Sequence, residues 1–315
     1  MLPKPIFDIT DKSIWIAGES GMVGRAMLRR LKNENCNIIS APHSALDLLD
    51  RAATLSWMKD HKPDVVIMAA AKVGGIGANM AEPEAFYDEN LKLAQNVIDG
   101  AFEAGTQKLI YLGSSCIYPK DAPQPMSEEV FLSGALEPTN EAYAKAKIEG
   151  IQLCQKYKEQ YYCDYVAVMP TNLYGSHDTY DVDKSHVIPA MILKIHQAKE
   201  NNEDVMLWGS GTPLREFLFV DDCADAITHA LQYYSDKEII NIGSGEEISI
   251  YDLAHNIANV IDFEGKIIFD PSKPDGVQRK LLDCSKINNL GWSAKTTLDK
   301  GLVQAYQWFL DNKAA

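Results

Sequence analysis

An α/β fold built on a doubly wound parallel sheet is predicted for this 315-residue chain by three observations. Short, near-continuously apolar runs alternate with longer helical patterns up to Pro170, the rhythm of strands buried on both faces between crossover helices. A glycine series, Gly18-x-x-Gly21-x-x-Gly24, stands between the first apolar run and the first helix. After Pro170 the rhythm breaks into shorter pieces, which predicts a smaller, discontinuous α/β lobe.

The elements follow in order. Residues 13–18 read as a buried strand, and 21–31 as a helix with Met22, Ala26 and Leu28 turned inward. A second strand is expected at 36–40, a helix at 52–60 and a third strand at 64–69. The segment 83–103 reads as a long helix opened by Pro83, a residue suited to the first helical position. A fourth strand at 108–113, a helix within 139–161 and a strand at 164–169 complete the regular part, a Rossmann-type organisation. Further on, a helix is expected at 189–199, a short strand at 205–208, a helix from 220 to about 234 and a strand at 239–242. The resulting division assigns 1–175 and 220–248 to a dinucleotide-binding domain, and 176–219 and 249–315 to a substrate-binding lobe.

Composition narrows the function. A 46% apolar content suits a water-soluble globular chain, and a net charge of -14 argues against nucleic acid or an anionic membrane as partner. The six cysteines form no C-x-x-C pair and no metal-ligand spacing, so a reducing, cytoplasmic setting is expected and no metal. No run of 18 apolar residues occurs, and Met1 to Pro5 carries no apolar signal segment.

The glycine series is where the nucleotide is expected. The first glycine permits a tight turn, and the next ones let the backbone approach a pyrophosphate at a helix N-terminus. The end of the second strand decides the coenzyme, because an acid there holds the ribose 2′-hydroxyl whereas basic groups accept a 2′-phosphate. The stretch Ser40-Ala41-Pro42-His43-Ser44 has no acid before Asp47, which argues against strict NAD use. Arg25 lies inside the helix after the glycines, leaving Ser20, Ser40, His43 and Ser44 as phosphate contacts; NADP(H) is the expected coenzyme.

Carbonyl chemistry is expected from Ser114, Tyr143 and Lys147. Tyr143 and Lys147 are four apart and share a helix face. A free tyrosine has a pKa near ~10, and a neighbouring ammonium brings it closer to neutral. Ser114 would hydrogen-bond the substrate oxygen while Tyr143 gives its proton as hydride arrives at carbon. Cys116, two residues past Ser114 in Gly113-Ser114-Ser115-Cys116-Ile117-Tyr118-Pro119, is either a small buried hydrophobe or a base at the strand end where ligands bind. His186 precedes a predicted helix in Ser185-His186-Val187-Ile188-Pro189.

With these residues placed, the chain resembles the extended short-chain dehydrogenase/reductases and, within them, the GDP-L-fucose synthase family of GDP-4-keto-6-deoxy-D-mannose 3,5-epimerase-4-reductases. The most specific stretches are Ser114-Ser115-Cys116-Ile117-Tyr118-Pro119-Lys120, Ser185-His186-Val187-Ile188-Pro189, Gly211-Thr212-Pro213-Leu214-Arg215-Glu216-Phe217 and Ser272-Lys273-Pro274-Asp275-Gly276. The resemblance implies a bifunctional, NADPH-dependent enzyme. Cys116 and His186 match the family's epimerisation base and acid, and Ser114, Tyr143 and Lys147 its reductive set. Gly18, Ser20, Gly21, Met22, Val23, Gly24, Ser40, His43, Ala70, Tyr143, Lys147, Pro170, Asn172, Leu173 and His186 would line the coenzyme. Ser115, Asn172, Lys194, Trp208, Arg215 and Arg279, with Lys280 beside it, would meet the GDP-linked sugar. Some family members carry arginine where Ser20 and Lys194 stand here; lysine keeps the charge but not the bidentate fork. A homodimer joined through the helices near 83–104 and 139–161 is also implied.

The residues leave two other classes to be separated by experiment. A related nucleotide-sugar epimerase or dehydratase would hold NAD tightly through purification. A non-catalytic nucleotide-binding regulator would bind without turnover.

Overall fold

The computed structural model describes residues 4–181, 185–273 and 275–312. Met1 to Pro3 and Pro274 of the Ser272–Gly276 stretch fall outside the described residues. The first part runs β1 (Ser13–Ala17), α1 (Met22–Leu31), β2 (Asn37–Ile39), α2 (Arg51–His61), β3 (Val65–Met68), α3 (Ile76–Ala81), α4 (Pro83–Ala104), β4 (Lys108–Leu112), α5 (Glu141–Tyr161) and β5 (Asp164–Pro170). It continues with β6 (Asn172–Tyr174), α6 (Val187–Asn201), β7 (Val205–Trp208), β8 (Leu214–Phe219), α7 (Val220–Tyr233) and β9 (Ile240–Ile242). The last part contains β10 (Glu247–Ser249), α8 (Ile250–Ile261), β11 (Ile267–Asp270), β12 (Arg279–Lys280), α9 (Ser285–Asn289) and α10 (Leu298–Asn312).

Six strands form one parallel sheet in the order β2-β1-β3-β4-β5-β9. Every residue of β3 and β4 is buried, as strands covered on both faces must be. Helices α2, α4 and α5 pack in a row, and α1 packs with α7. From β1 the chain passes to β2 on one side, and β3 lies on the other, so the order reverses between β1 and β3. Ligands of open parallel sheets lie outside the strand C-termini at such a point. The inward face of α1 consists of Gly24, Ala26, Met27 and Leu31. Of the three residues expected inward on α1, Met22 and Leu28 are only partly buried against the core.

The smaller sheet has β8 at its centre, with β10 antiparallel and β12 and β6 parallel to it. β7 and β11 form a separate parallel pair. A second apolar cluster gathers α6, α8 and α10 around Tyr174, Phe217 and Phe219. Leu282, Cys284, Ile287 and Trp292 instead pack into the larger cluster. The chain thus returns to the first core after visiting the second. Among the described residues no helix is long and apolar enough to cross a membrane.

Candidate active site

The nucleotide end is assembled by β1, β3 and α1. Gly18 leaves β1 with φ of 93°, a conformation that residues with side chains rarely adopt. A Cβ at Gly18 would also stand 2.6 Å from the Ala70 backbone nitrogen beyond β3, and a Cβ at Gly24 would strike the Gly18 carbonyl. Gly21 caps α1 in extended conformation, and no side chain takes the first-turn N–H groups. Donors at a helix N-terminus, with the helix dipole behind them, suit a pyrophosphate. Gly18, Ser20, Gly21, Met22, Val23 and Gly24 therefore form one turn with Ala70 against it, and that turn fits a dinucleotide. Ser40 and His43 are exposed just past β2. The Ser40 hydroxyl donates to Glu19, a residue that sequence reasoning did not single out.

Beyond β4, Ser114 caps a single 3-10 turn over Ser115–Ile117, its Oγ accepting from the Cys116 N–H at 3.4 Å. The turn holds Ser115 and Cys116 inward, at 3% and 7% exposure. α5 supplies Tyr143 and Lys147, and its height is set by Gly150, where a Cβ would strike the Tyr111 ring of β4. Lys147 is buried, donates to the Leu112 carbonyl at 2.7 Å, and lies 5.8 Å from the centroid of the Tyr143 ring. The Phe86 ring meets Tyr143 edge-on at 6.4 Å.

Burial dominates the electrostatics of this face. It lowers Lys147 to about 8, with Cys116 opposing. It raises the Tyr143 phenol, and Cys116 raises it further. The Cys116 thiol is raised by burial and pulled back by Lys280, Ser114 and Lys147. Tyr143, Lys147 and Lys280 are therefore each close enough to Cys116 to feel its charge. His186 stands at the N-cap of α6, open to solvent by its surface area yet crowded by protein atoms. Desolvation there and, second, Lys280 hold its imidazole below the ordinary value.

The second sheet supplies the remaining groups. Pro170 ends β5, and Asn172 and Leu173 lie on β6, where the Asn172 amide donates to the Glu216 carbonyl at 2.7 Å. Arg215, on β8, donates to the carbonyls of Leu214 at 2.8 Å and Asp275 at 3.4 Å. Burial lowers its guanidinium and Asp275 opposes that. Trp208 is 59% exposed at the end of β7, with the Lys194 and Lys273 ammonium groups 5.3 and 5.6 Å from its ring centroid.

Arg279 and Lys280 are neighbours on β12 and so point to opposite faces. The structure puts Arg279 in an exposed pair with Glu247 at 2.8 Å, whereas Lys280 acts on Cys116, Arg215 and His186. Of the two, Lys280 faces the cleft. Glu216 fixes this register. Its fully buried carboxylate accepts from the Gly245 N–H at 2.8 Å and the Leu282 N–H at 3.0 Å. The strand alternation carried that signal, but nothing local marks 279–280 as a strand.

Comparison with known proteins agrees with this geometry. Residues 14–243 match the model of the NAD dependent epimerase/dehydratase family. A GDP-L-fucose synthase of Sinorhizobium fredii is 50% identical over 311 residues, 98% of this chain and 99% of that protein. A GDP-L-fucose synthase of Escherichia coli is 45% identical over 316 residues, 97% of this chain and 98% of that protein. The crystal structure of a GDP-L-fucose synthetase from Naegleria fowleri bound to NADP is 29% identical, with a TM-score of 0.92 over 100% of this chain and 99% of that one. The glycine turn, the strand-end serine and cysteine and the helical tyrosine–lysine pair thus stand in a chain that belongs to the NAD dependent epimerase/dehydratase family and, within it, to the GDP-L-fucose synthase family.

Proposed function

We propose that this chain converts GDP-4-keto-6-deoxy-D-mannose to GDP-L-fucose, epimerising C3 and C5 and reducing C4 with NADPH. The observation that carries this reading is the cluster of Cys116, Tyr143, Lys147 and Lys280 at the C-terminal end of β4, the sheet edge that also holds the glycine turn. A plain ketoreductase needs only Ser114, Tyr143 and Lys147. A buried thiol with two ammonium groups near it, and an imidazole sharing one of them, adds a base and an acid.

The C4 ketone acidifies the C–H bonds on both sides of it. Cys116 takes each proton as the thiolate, which Lys280 and Lys147 stabilise against the cost of burial. Ser114 and Tyr143 hydrogen-bond O4 and hold the enolate charge. His186 returns a proton to the opposite face, and its lowered pKa makes the imidazolium a ready donor. The bound coenzyme supplies hydride to C4. Tyr143 gives its proton to O4, and Lys147 stabilises the phenolate left behind. Arg215 and Lys280 meet the diphosphate, and Trp208 with Lys194 and Asn172 positions the nucleotide.

The division into 1–175 with 220–248 and 176–219 with 249–315 is proposed as the coenzyme and substrate halves of this enzyme. A homodimer through α4 and α5 is proposed as well. Phe102, Tyr161 and Tyr162 are exposed there, at 38, 54 and 91%. All six cysteines are unbridged, which suits a reducing cytoplasm.

The test is turnover of GDP-4-keto-6-deoxymannose with NADPH in D2O, followed by NMR of the product. Deuterium at C3 and C5 with a reduced C4 in the L-sugar is expected. Reduction without deuterium would leave a simple ketoreductase and return Cys116 and His186 to structural roles.

A further inference from the structure

Read along the chain, the end of β2 carries no acid before Asp47. The fold brings one there from a different element. Glu19 follows Gly18 in the turn after β1, and β1 and β2 are adjacent parallel strands, so both chains leave the sheet at the same edge. The Glu19 carboxylate crosses to the tip of β2. Its Oε1 accepts from the Ser40 hydroxyl at 2.7 Å and its Oε2 from the Ala41 N–H at 3.3 Å.

In an open parallel sheet, a dinucleotide whose pyrophosphate rests on the first glycine turn places its adenosine ribose at this strand end. An unphosphorylated 2′-hydroxyl there is a donor and suits a carboxylate acceptor. A 2′-phosphate is an anion and needs donors or cations. Glu19 engages two donors that a 2′-phosphate would use and adds a negative charge beside them. Compensating charge is scarce, since no lysine or arginine occurs between Asn35 and Asp50. Arg25, on the first turn of α1, turns its Nε back to the Ser20 carbonyl at 3.0 Å. Of the expected phosphate set, Ser40 is the one whose side chain Glu19 engages in these bonds, which leaves the polar side chains of Ser20, His43 and Ser44.

We propose that Glu19 is the coenzyme-selectivity residue of this chain. It accepts from the 2′-hydroxyl of NADH and weakens the hold on the 2′-phosphate of NADPH, so that the protein binds both coenzymes with similar affinity. The inference rests on the dinucleotide reading above but concerns only its adenosine end.

The experiment is calorimetric titration of the full chain with NADP+ and, separately, NAD+, for the wild type, Glu19→Gln and Glu19→Ala. Two variants are used so that a folding failure of one leaves the other informative. In the wild type the two dissociation constants should lie within about tenfold. In either variant the ratio of the NAD+ to the NADP+ constant should rise at least tenfold. A ratio that stays within twofold of wild type in a folded variant would overturn the proposal. So would a wild type that already prefers NADP+ by more than a hundredfold. A wild type that binds neither dinucleotide would refute the coenzyme reading itself, and a variant ratio that fails to move with both bound would not.

Discussion

The two sheets deliver chemistry to the same cleft in different ways. In the six-stranded sheet each reactive group stands just past a strand end or on the helix that follows: Gly18 after β1, Ala70 after β3, Ser114 and Cys116 after β4, and Tyr143 and Lys147 on α5. In the smaller sheet, Arg215 and Lys280 lie within the strands, and β12 is only Arg279–Lys280, pinned to β8 at Leu214 and Arg215. The first arrangement positions groups by local backbone geometry. The second relies on long-range pairing, and on one buried carboxylate, Glu216, that joins β8 to segments 29 and 66 residues away. Damage to the first should remove a chemical step, whereas damage to the second should loosen binding or the fold.

The largest effect is expected from Cys116→Ser. A serine hydroxyl ionises far less readily than a thiol and supplies almost no anionic base near neutral pH, so deuterium incorporation at C3 and C5 should fall by about 10³–10⁴, while calorimetry finds NADP+ binding unchanged. Tyr143→Phe should lower reduction by about 10²–10³ and leave solvent exchange within about tenfold. If both variants lost both activities equally, the two steps would not be separable by residue.

Lys280→Met probes the other sheet. Removing the cation that pulls the Cys116 thiol down should slow exchange by about 10–100-fold and raise KM for the GDP-sugar, whereas Arg279→Met should change either by less than about twofold. Equal effects of the two substitutions would break the assignment of opposite faces.

The pH profile sharpens the contrast. Lys147 is charged below its lowered pKa of about 8 and neutral above it, so single-turnover reduction should fall about tenfold per pH unit beyond about 8. Exchange depends on a thiol that burial raises and should keep rising over the same range. Parallel profiles would mean that one group limits both.

A smaller effect on the chemistry should come from Glu216→Gln, which leaves a buried backbone N–H facing an amide donor. It should cost about 1–3 kcal/mol in denaturant unfolding and raise KM more than it lowers kcat. A lower kcat at unchanged KM would move Glu216 into the chemistry.

Legibility followed the same divide. The strands of the large sheet stood out because they are mostly apolar, and each was found within one or two residues of its expected ends. β8 was missed because Leu214–Phe219 opens with Arg215 and Glu216. Charged residues read as surface until the structure shows Glu216 at 0% exposure, accepting backbone N–H groups. β6, β10 and α3 are too short for their periodicity to register.

By itself the sequence determined the alternating α/β architecture, the glycine turn and the spacing of Ser114, Cys116, Tyr143 and Lys147, because each depends on contacts within a few residues or on the burial of a whole run. Tertiary structure alone decided that Lys280 rather than Arg279 enters the cleft, and that an acid reaches the end of β2 from the turn after β1. Both depend on which strands lie side by side. That choice is made by the packing of the whole chain, and residues far apart in sequence carry no local mark of it.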